Sequence, residues 1–116
     1  MRIHHLALRV ADPERAAAFY SGVLGLAEQR RLEEGGRLRA IWLRAGEALL
    51  MLERELRGAG ASEGSGHLVA FAVDDLAGWR EKLARAGVPV EDHTEFTLYV
   101  RDADGHRVGL SCYPAR

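Results

Sequence analysis

Five histidines, one cysteine and a scatter of carboxylates are the side chains of this chain that could ligate a cation, move a proton or attack a carbon. Imidazoles and carboxylates that converge on one ion, with a coordination position left open, make a catalytic metal centre. His5 and His67 stand 62 residues apart, each at the start of a strand-like stretch, and Asp12/Asp74 and Gly25/Gly87 repeat that interval. The simpler expectation for both imidazoles is a hydrogen-bonded or solvated strand histidine. Glu53 ends an apolar run, where a carboxylate ordinarily faces water. Arg9 offers a guanidinium fork to a carboxylate or phosphate. Trp42 and Trp79 could stack a flat ligand, although core or interface packing is the simpler role, above all for Trp79 on a helix. Cys112 shares the parity of Val108 and Leu110 and reads as a buried small apolar residue rather than a nucleophile. His4 falls on the other side of its strand from His5 and reads as structural; His93 and His106, beside turns, read as surface residues.

The elements that position these groups come in two similar sets. In Ile3-His4-His5-Leu6-Ala7-Leu8-Arg9-Val10-Ala11-Asp12, Leu6, Leu8 and Val10 fall on one side of a strand and His5, Ala7 and Arg9 on the other. Asp12-Pro13 then opens a helix, with a carboxylate cap and a proline at the first helical position. That helix runs from about Pro13 to Leu24, carries its apolar stripe on Ala16, Ala17, Phe19, Tyr20, Val23 and Leu24, and stops at Gly25. Strands follow over Leu26 to Leu32, Arg37 to Arg44 and Ala48 to Glu53, separated by a glycine turn at Gly35-Gly36 and a tight turn at Ala45-Gly46-Glu47. After a Gly/Ser-rich stretch the order β-α-β-β-β repeats: strand His67 to Asp74, helix Asp75 to Ala86 with Leu76, Trp79 and Leu83 inward, then strands Val88 to His93, Phe96 to Arg101 and Arg107 to Tyr113. The chain reads as one domain, 1–116, built of module one (1–56), a linker (57–66) and module two (67–116).

Composition narrows the function classes. Sixteen basic against seventeen acidic residues give a net charge of −1, which argues against a dedicated nucleic-acid or anionic-membrane surface. No apolar run approaches the roughly 20 residues that span a bilayer. The N-terminus opens on a strand without a charged leader, so no signal peptide is expected. A single cysteine excludes an internal disulfide framework and fits a reducing, cytoplasmic setting.

Two β-α-β-β-β modules in so short a chain resemble the vicinal oxygen chelate superfamily, which includes glyoxalase I, bleomycin- and fosfomycin-resistance proteins and extradiol dioxygenases. The match is carried by the Ile3 to Asp12 stretch, Phe19-Tyr20, Leu24-Gly25-Leu26, Ala70-Phe71-Ala72-Val73-Asp74-Asp75-Leu76, Ala86-Gly87-Val88 and Asp102-Ala103-Asp104-Gly105-His106-Arg107-Val108. The resemblance implies an α+β fold in which the tandem modules form a U-shaped mixed sheet with helices on its convex face. It further implies a concave cleft for a divalent metal and substrate, and a homodimer.

Family ligands sit on the first and last strands of each module, and this chain fills those positions unevenly. The first matches His5. The second falls at Met51, a poor ligand for the family's metals, with Glu53 two residues on along the same face. For the third, an offset of 62 selects His67, whereas an offset of 63 keeps the buried alternation and selects Leu68. His67 would turn inward only through a bulge. The fourth position, a glutamate before the leucine of the last strand, is Gly109 before Leu110.

The expectation is therefore a protein that binds a small organic molecule in the sheet cleft, lined by His5, Arg9, Met51, Leu68, Gly109, Ser111 and Tyr113, with a degenerate or absent metal site. The alternative is a lyase, isomerase or dioxygenase using Ni, Zn, Mn or Fe on His5, His67 and Glu53. A third reading is an oligomeric or regulatory module with no ligand. No cofactor beyond such a metal and no nucleic-acid or membrane partner is expected, and the sequence leaves the catalytic residues, if the chain is an enzyme, unassigned.

Overall fold

An aspartate and a proline start the first helix as their chemistry requires. Asp12 Oδ1 accepts from the Glu14 N–H at 3.0 Å, and Pro13, which has no N–H to satisfy, occupies the first turn. The computed structural model of the chain describes residues 1–56 and 67–114. The expected linker, 57–66, lies outside the described residues. The chain divides into two compact units, Met1–Ala61 and Ser62–Arg116.

Unit one holds β1 (His5–Arg9), α1 (Pro13–Ala17), a π-helical turn (Ala18–Val23), β2 (Glu28–Glu34), β3 (Arg37–Ala45) and β4 (Ala48–Glu53). Its sheet runs β1-β4-β3-β2, with β1 parallel to β4 and the other pairs antiparallel. Ile41, Leu43, Leu50 and Leu52 lie on one face, β3 and β4 pack against α1 with its buried Ala16 and Ala17, and Phe19 and Tyr20 are buried as well. Val10 joins this core, but Leu6, expected with it, is 39% exposed at the start of β1. The sequence predicts one α-helix to Leu24, whereas the chain widens after Ala17 into a π turn, with the Leu24 N–H reaching Phe19 O at 3.0 Å. The wider turn brings the consecutive rings of Phe19 and Tyr20 inward together, in edge contact at 5.0 Å. β2 starts at Glu28 rather than Leu26 because the Leu26 N–H bonds back to Tyr20 O at 3.0 Å, still part of the helix exit. Arg31 on β2 pairs with Glu28 and with Glu14 of α1, and these hydrogen bonds hold its guanidinium above its ordinary pKa.

Unit two holds β5 (Val69–Ala72), α2 (Leu76–Arg85), β6 (Asp92–His93), β7 (Thr97–Arg101) and β8 (Arg107–Ser111), in the order β5-β8-β7-β6. β5 is parallel to β8, and the remaining pairs are antiparallel. Leu98, Val100, Val108 and Leu110 are buried on one face, and Leu83 of α2 is buried as well. Asp75 caps α2 by accepting the Gly78 N–H at 3.0 Å. Gly87, at φ +72, ends that helix, and the Val88 N–H bonds to Leu83 O at 2.9 Å. That capping bond, together with the missing N–H of Pro89, shortens the strand expected over Val88 to His93 to Asp92–His93. Among the described residues no helix is long and apolar enough to cross a membrane.

The architecture is α+β: two four-stranded mixed sheets, each built from a β-α-β-β-β string, as the sequence pattern predicts.

Candidate functional site

Opposite its helix, the sheet of unit one presents a face that pairing register resolves into three rows. Arg44, Leu49 and His5 form the first; Arg30, Trp42, Met51 and Ala7 the second; Leu32, Ala40, Glu53 and Arg9 the third. Strand spacing sets neighbours within a row about 4.8 Å apart and rows about 6.7 Å apart. The face is thus apolar at its centre, with guanidiniums at three margins. Leu49, Met51, Trp42 and Ala7 are half-buried, while His5, Arg9, Arg30 and Arg44 are exposed.

Glu53 is the unexpected member. Expected at a solvated strand end, it is only 7% exposed. Its Oε2 accepts the Trp42 indole N–H at 2.7 Å, and its Oε1 lies 3.9 Å from Arg39 Nη1. Trp42 pairs with Met51 and Ala40 with Glu53, so Trp42 and Glu53 are diagonal neighbours across β3 and β4. The bond satisfies a buried carboxylate and fixes the plane of the indole, over which Arg30 stands 5.5 Å from the ring centroid.

The donors expected around a metal are spread out. His5 and Glu53 share the face but lie two rows apart, about 13 Å along the strands. Side chains standing off a sheet do not lean across that span to one ion, and Glu53 is already committed to Trp42. Between their rows lies Met51, with only a thioether. His5 Nδ1 instead lies 2.9 Å from Nδ1 of His4, whose ring, expected on the helix side, turns to meet it. Among the described residues no group of three or more His, Cys, Asp or Glu gathers where it could hold an ion. The donor set within unit one does not fit a chelated metal.

In unit two the face opposite Val108 and Leu110 carries Ala70, Ala72, Gly109, Ser111, Thr97 and Tyr99. β5 pairs with β8 without a register shift, Ala70 against Gly109 and Phe71 against Leu110, which is the alternation kept by the offset of 63. Leu68, 43% exposed, precedes β5 on the parity of Ala70; His67 is exposed and outside the strand. Gly109 is closely surrounded: a Cβ there would meet Ala70 Cβ at 3.3 Å and Thr97 Cγ2 at 3.4 Å. Thr97 Oγ1 donates to Ser111 Oγ at 2.8 Å, which also accepts from the Tyr113 N–H at 3.2 Å. Tyr113 is 71% exposed, its ring 5.4 Å from that of Phe96. Cys112 is half-buried rather than fully buried, its Sγ donating to Phe96 O at 3.5 Å.

The sequence alone did not single out Arg30 and Arg44 on the first sheet's face, Arg39 beside Glu53, or Thr97 on the face of the second sheet. The signal was in the turns: a two-residue loop at Gly46-Glu47 pairs Ala45 with Ala48 and fixes every later pair of that hairpin. Two surface hollows, of about 390 Å³ beside Arg80, Val88 and Pro89 and about 650 Å³ beside Arg2, His4 and Glu47, include none of the Trp42 row.

Solved structures share this fold. Lactoylglutathione lyase from Agrobacterium tumefaciens is 24% identical, with a TM-score of 0.73 over 95% of this chain and 92% of that one. The trypanothione-dependent glyoxalase I of Leishmania major is also 24% identical, with a TM-score of 0.73 over 96% and 86%. An antibiotic-binding protein from Streptomyces is 20% identical, with a TM-score of 0.74 over 96% and 94%. No curated protein matches the sequence. The sequence profile of one family matches residues 2–110. With its paired β-α-β-β-β units, the chain belongs to the glyoxalase/bleomycin resistance protein/dioxygenase superfamily.

Proposed function

We propose that this protein binds a small organic molecule against the helix-free face of its first sheet, without a chelated metal. The observation that carries the reading is the Glu53–Trp42 hydrogen bond at 2.7 Å. It turns the carboxylate nearest the family's second ligand position into a brace for an aromatic platform. Half-buried Leu49, Met51 and Trp42, ringed by a few polar groups, have the make-up of a small-molecule site. His5 and Arg9 of β1 line the same face. Leu68, Gly109, Ser111 and Tyr113 are proposed as ligand-lining residues of unit two's own face, with Ser111 presenting a hydroxyl already engaged by Thr97. The fold is shared both by a lyase and by an antibiotic-binding protein, and the loss of ligand types at Met51 and Gly109 favours binding over metal-assisted catalysis. A cytoplasmic homodimer completes the reading, on the family's habit and the lone Cys112.

The test is a thermal-shift screen of a chemically mixed small-molecule library, run with and without a strong chelator. A ligand that binds the native state raises the melting temperature by mass action. The reading expects stabilising compounds whose shift is unchanged by chelator and unchanged or modestly reduced by His5→Ala. Stabilisation that vanishes with chelator, or a library without a single stabilising compound, contradicts it.

A further inference from the structure

The charges around Trp42 are unbalanced. Its row and the one beside it carry Arg30 and Arg44, while the nearest carboxylate on the face, Glu53, is buried and bonded to the indole. Elsewhere on the same unit, Arg31 is matched by Glu14 and Glu28, and Arg39 by Glu34 and Glu53. Among the described residues neither Arg30 nor Arg44 forms an ion pair. Both are exposed, Arg30 over the indole and Arg44 one row away at the margin of the same apolar centre. A guanidinium is a planar fork that matches a carboxylate in two parallel hydrogen bonds. An indole whose N–H is already satisfied has no polar demand left, so its remaining recognition surface is its aromatic face.

Resting on the binding reading above, we propose that the occupant of this face is a small aromatic carboxylate, its ring against Trp42 and its carboxylate taken by Arg30 and Arg44. From Trp42 to Ala7 the platform spans three strands, about 10 Å, wide enough for a ring system and too small for a macromolecular surface. Glu53 acts as a positioning residue that sets the indole plane and disfavours anionic groups over its own corner, leaving the ligand's carboxylate to the arginine margin. Neutral ligands lose the guanidinium contacts, and cationic ones meet like charge.

The chain has two tryptophans, so Trp79→Phe leaves Trp42 as the only indole fluorophore; phenylalanine still offers a ring to Lys82, which stands 4.3 Å over Trp79. Nitrobenzoate, nitrobenzamide and nitrobenzylamine are titrated against this variant, with fluorescence quenching as the readout and calorimetry on the unsubstituted protein in parallel. The proposal expects saturable quenching by nitrobenzoate at least about tenfold tighter than by the neutral amide, weakened by added salt. Replacing both exposed arginines (Arg30→Gln with Arg44→Gln) removes that advantage, so that nitrobenzoate binds no tighter than the amide. Equal affinity for all three probes, preference for the amine, or an anion advantage that survives the double substitution overturns it. If none of the probes binds while the library screen yields other ligands, the aromatic-anion proposal falls and the small-molecule reading stands. If neither binds, both fall. Sedimentation at the same concentrations identifies the remaining occupant: a self-association that shields Trp42 from acrylamide assigns the face to a second copy and also overturns the proposal.

Discussion

Truncating Glu53 to alanine removes the acceptor of the Trp42 indole and leaves a half-buried N–H unpaired. The carboxylate is 7% exposed and the bond is 2.7 Å long, so it is a charge-assisted hydrogen bond in a poorly solvated place. Hydrogen bonds to charged groups contribute about 1.5–3 kcal/mol, and removing one partner leaves the other's desolvation uncompensated. Arg39, 3.9 Å from Oε1 and partly exposed, adds little, since screened pairs of that kind are worth about 0–1 kcal/mol. The expected cost of Glu53→Ala is therefore about 2–3 kcal/mol by urea denaturation. Glu53→Gln, which keeps an oxygen acceptor without the charge, costs about 1 kcal/mol. Packing loss alone could produce the first number, so the decisive quantity is the coupling in a double-mutant cycle with Trp42→Phe. A coupling of about 2 kcal/mol supports the bond as described. A coupling below about 0.5 kcal/mol refutes it and returns Glu53 to the pool of free carboxylates.

Other substitutions probe the frame around that face. Gly109→Ala forces a methyl against Ala70 and Thr97 at 3.3 and 3.4 Å and is expected to cost about 1–3 kcal/mol by thermal or urea unfolding; an unchanged stability would mean the sheet relaxes freely there. Gly78→Ala places a Cβ 2.6 Å from Asp75 Oδ2, so the usual gain of about 1 kcal/mol for replacing a helical glycine is cancelled by damage to the cap. A measured stabilisation of about 1 kcal/mol would show the cap yields without cost. Asp102 is buried and accepts the Asp104 and His106 N–H groups at 2.9 and 2.8 Å, so Asp102→Ala is expected to cost about 2–4 kcal/mol. Leu83→Ala empties a fully buried position under α2, with an expected loss of about 2–5 kcal/mol by calorimetry.

The strand and helix order was legible because its signals are local. Leu8 and Val10 alternate with Ala7 and Arg9, Asp12-Pro13 and Asp75 open helices, and Gly25 and Gly87 close them at positive φ. The choice between offsets of 62 and 63 was also decidable in principle, since only the second keeps Phe71 on the side of Leu110. The π turn was not legible: periodicity marks Phe19 and Tyr20 as inward without saying that the helix widens to seat both. Strand ends were misjudged where a helix exit holds the chain, as the Leu26 and Val88 N–H groups bond back to Tyr20 and Leu83. The shared face of His5, Arg9, Met51 and Glu53 was legible by parity alone. Parity says nothing about diagonal neighbours across strands. The Trp42–Glu53 bond and the placement of Arg30 and Arg44 therefore emerge only once hairpin register is known.

The central claim is that this face binds its ligand without a chelated metal, and elemental analysis of the purified, untagged protein addresses it most directly. It is coupled to titrations of Ni²⁺, Zn²⁺, Mn²⁺ and Fe²⁺ into the unsubstituted protein and His5→Ala. The account predicts no stoichiometric metal in either protein and no titration step that His5→Ala removes. A stoichiometric ion that is lost on His5→Ala contradicts it and moves the search from ligands to metal-dependent substrates.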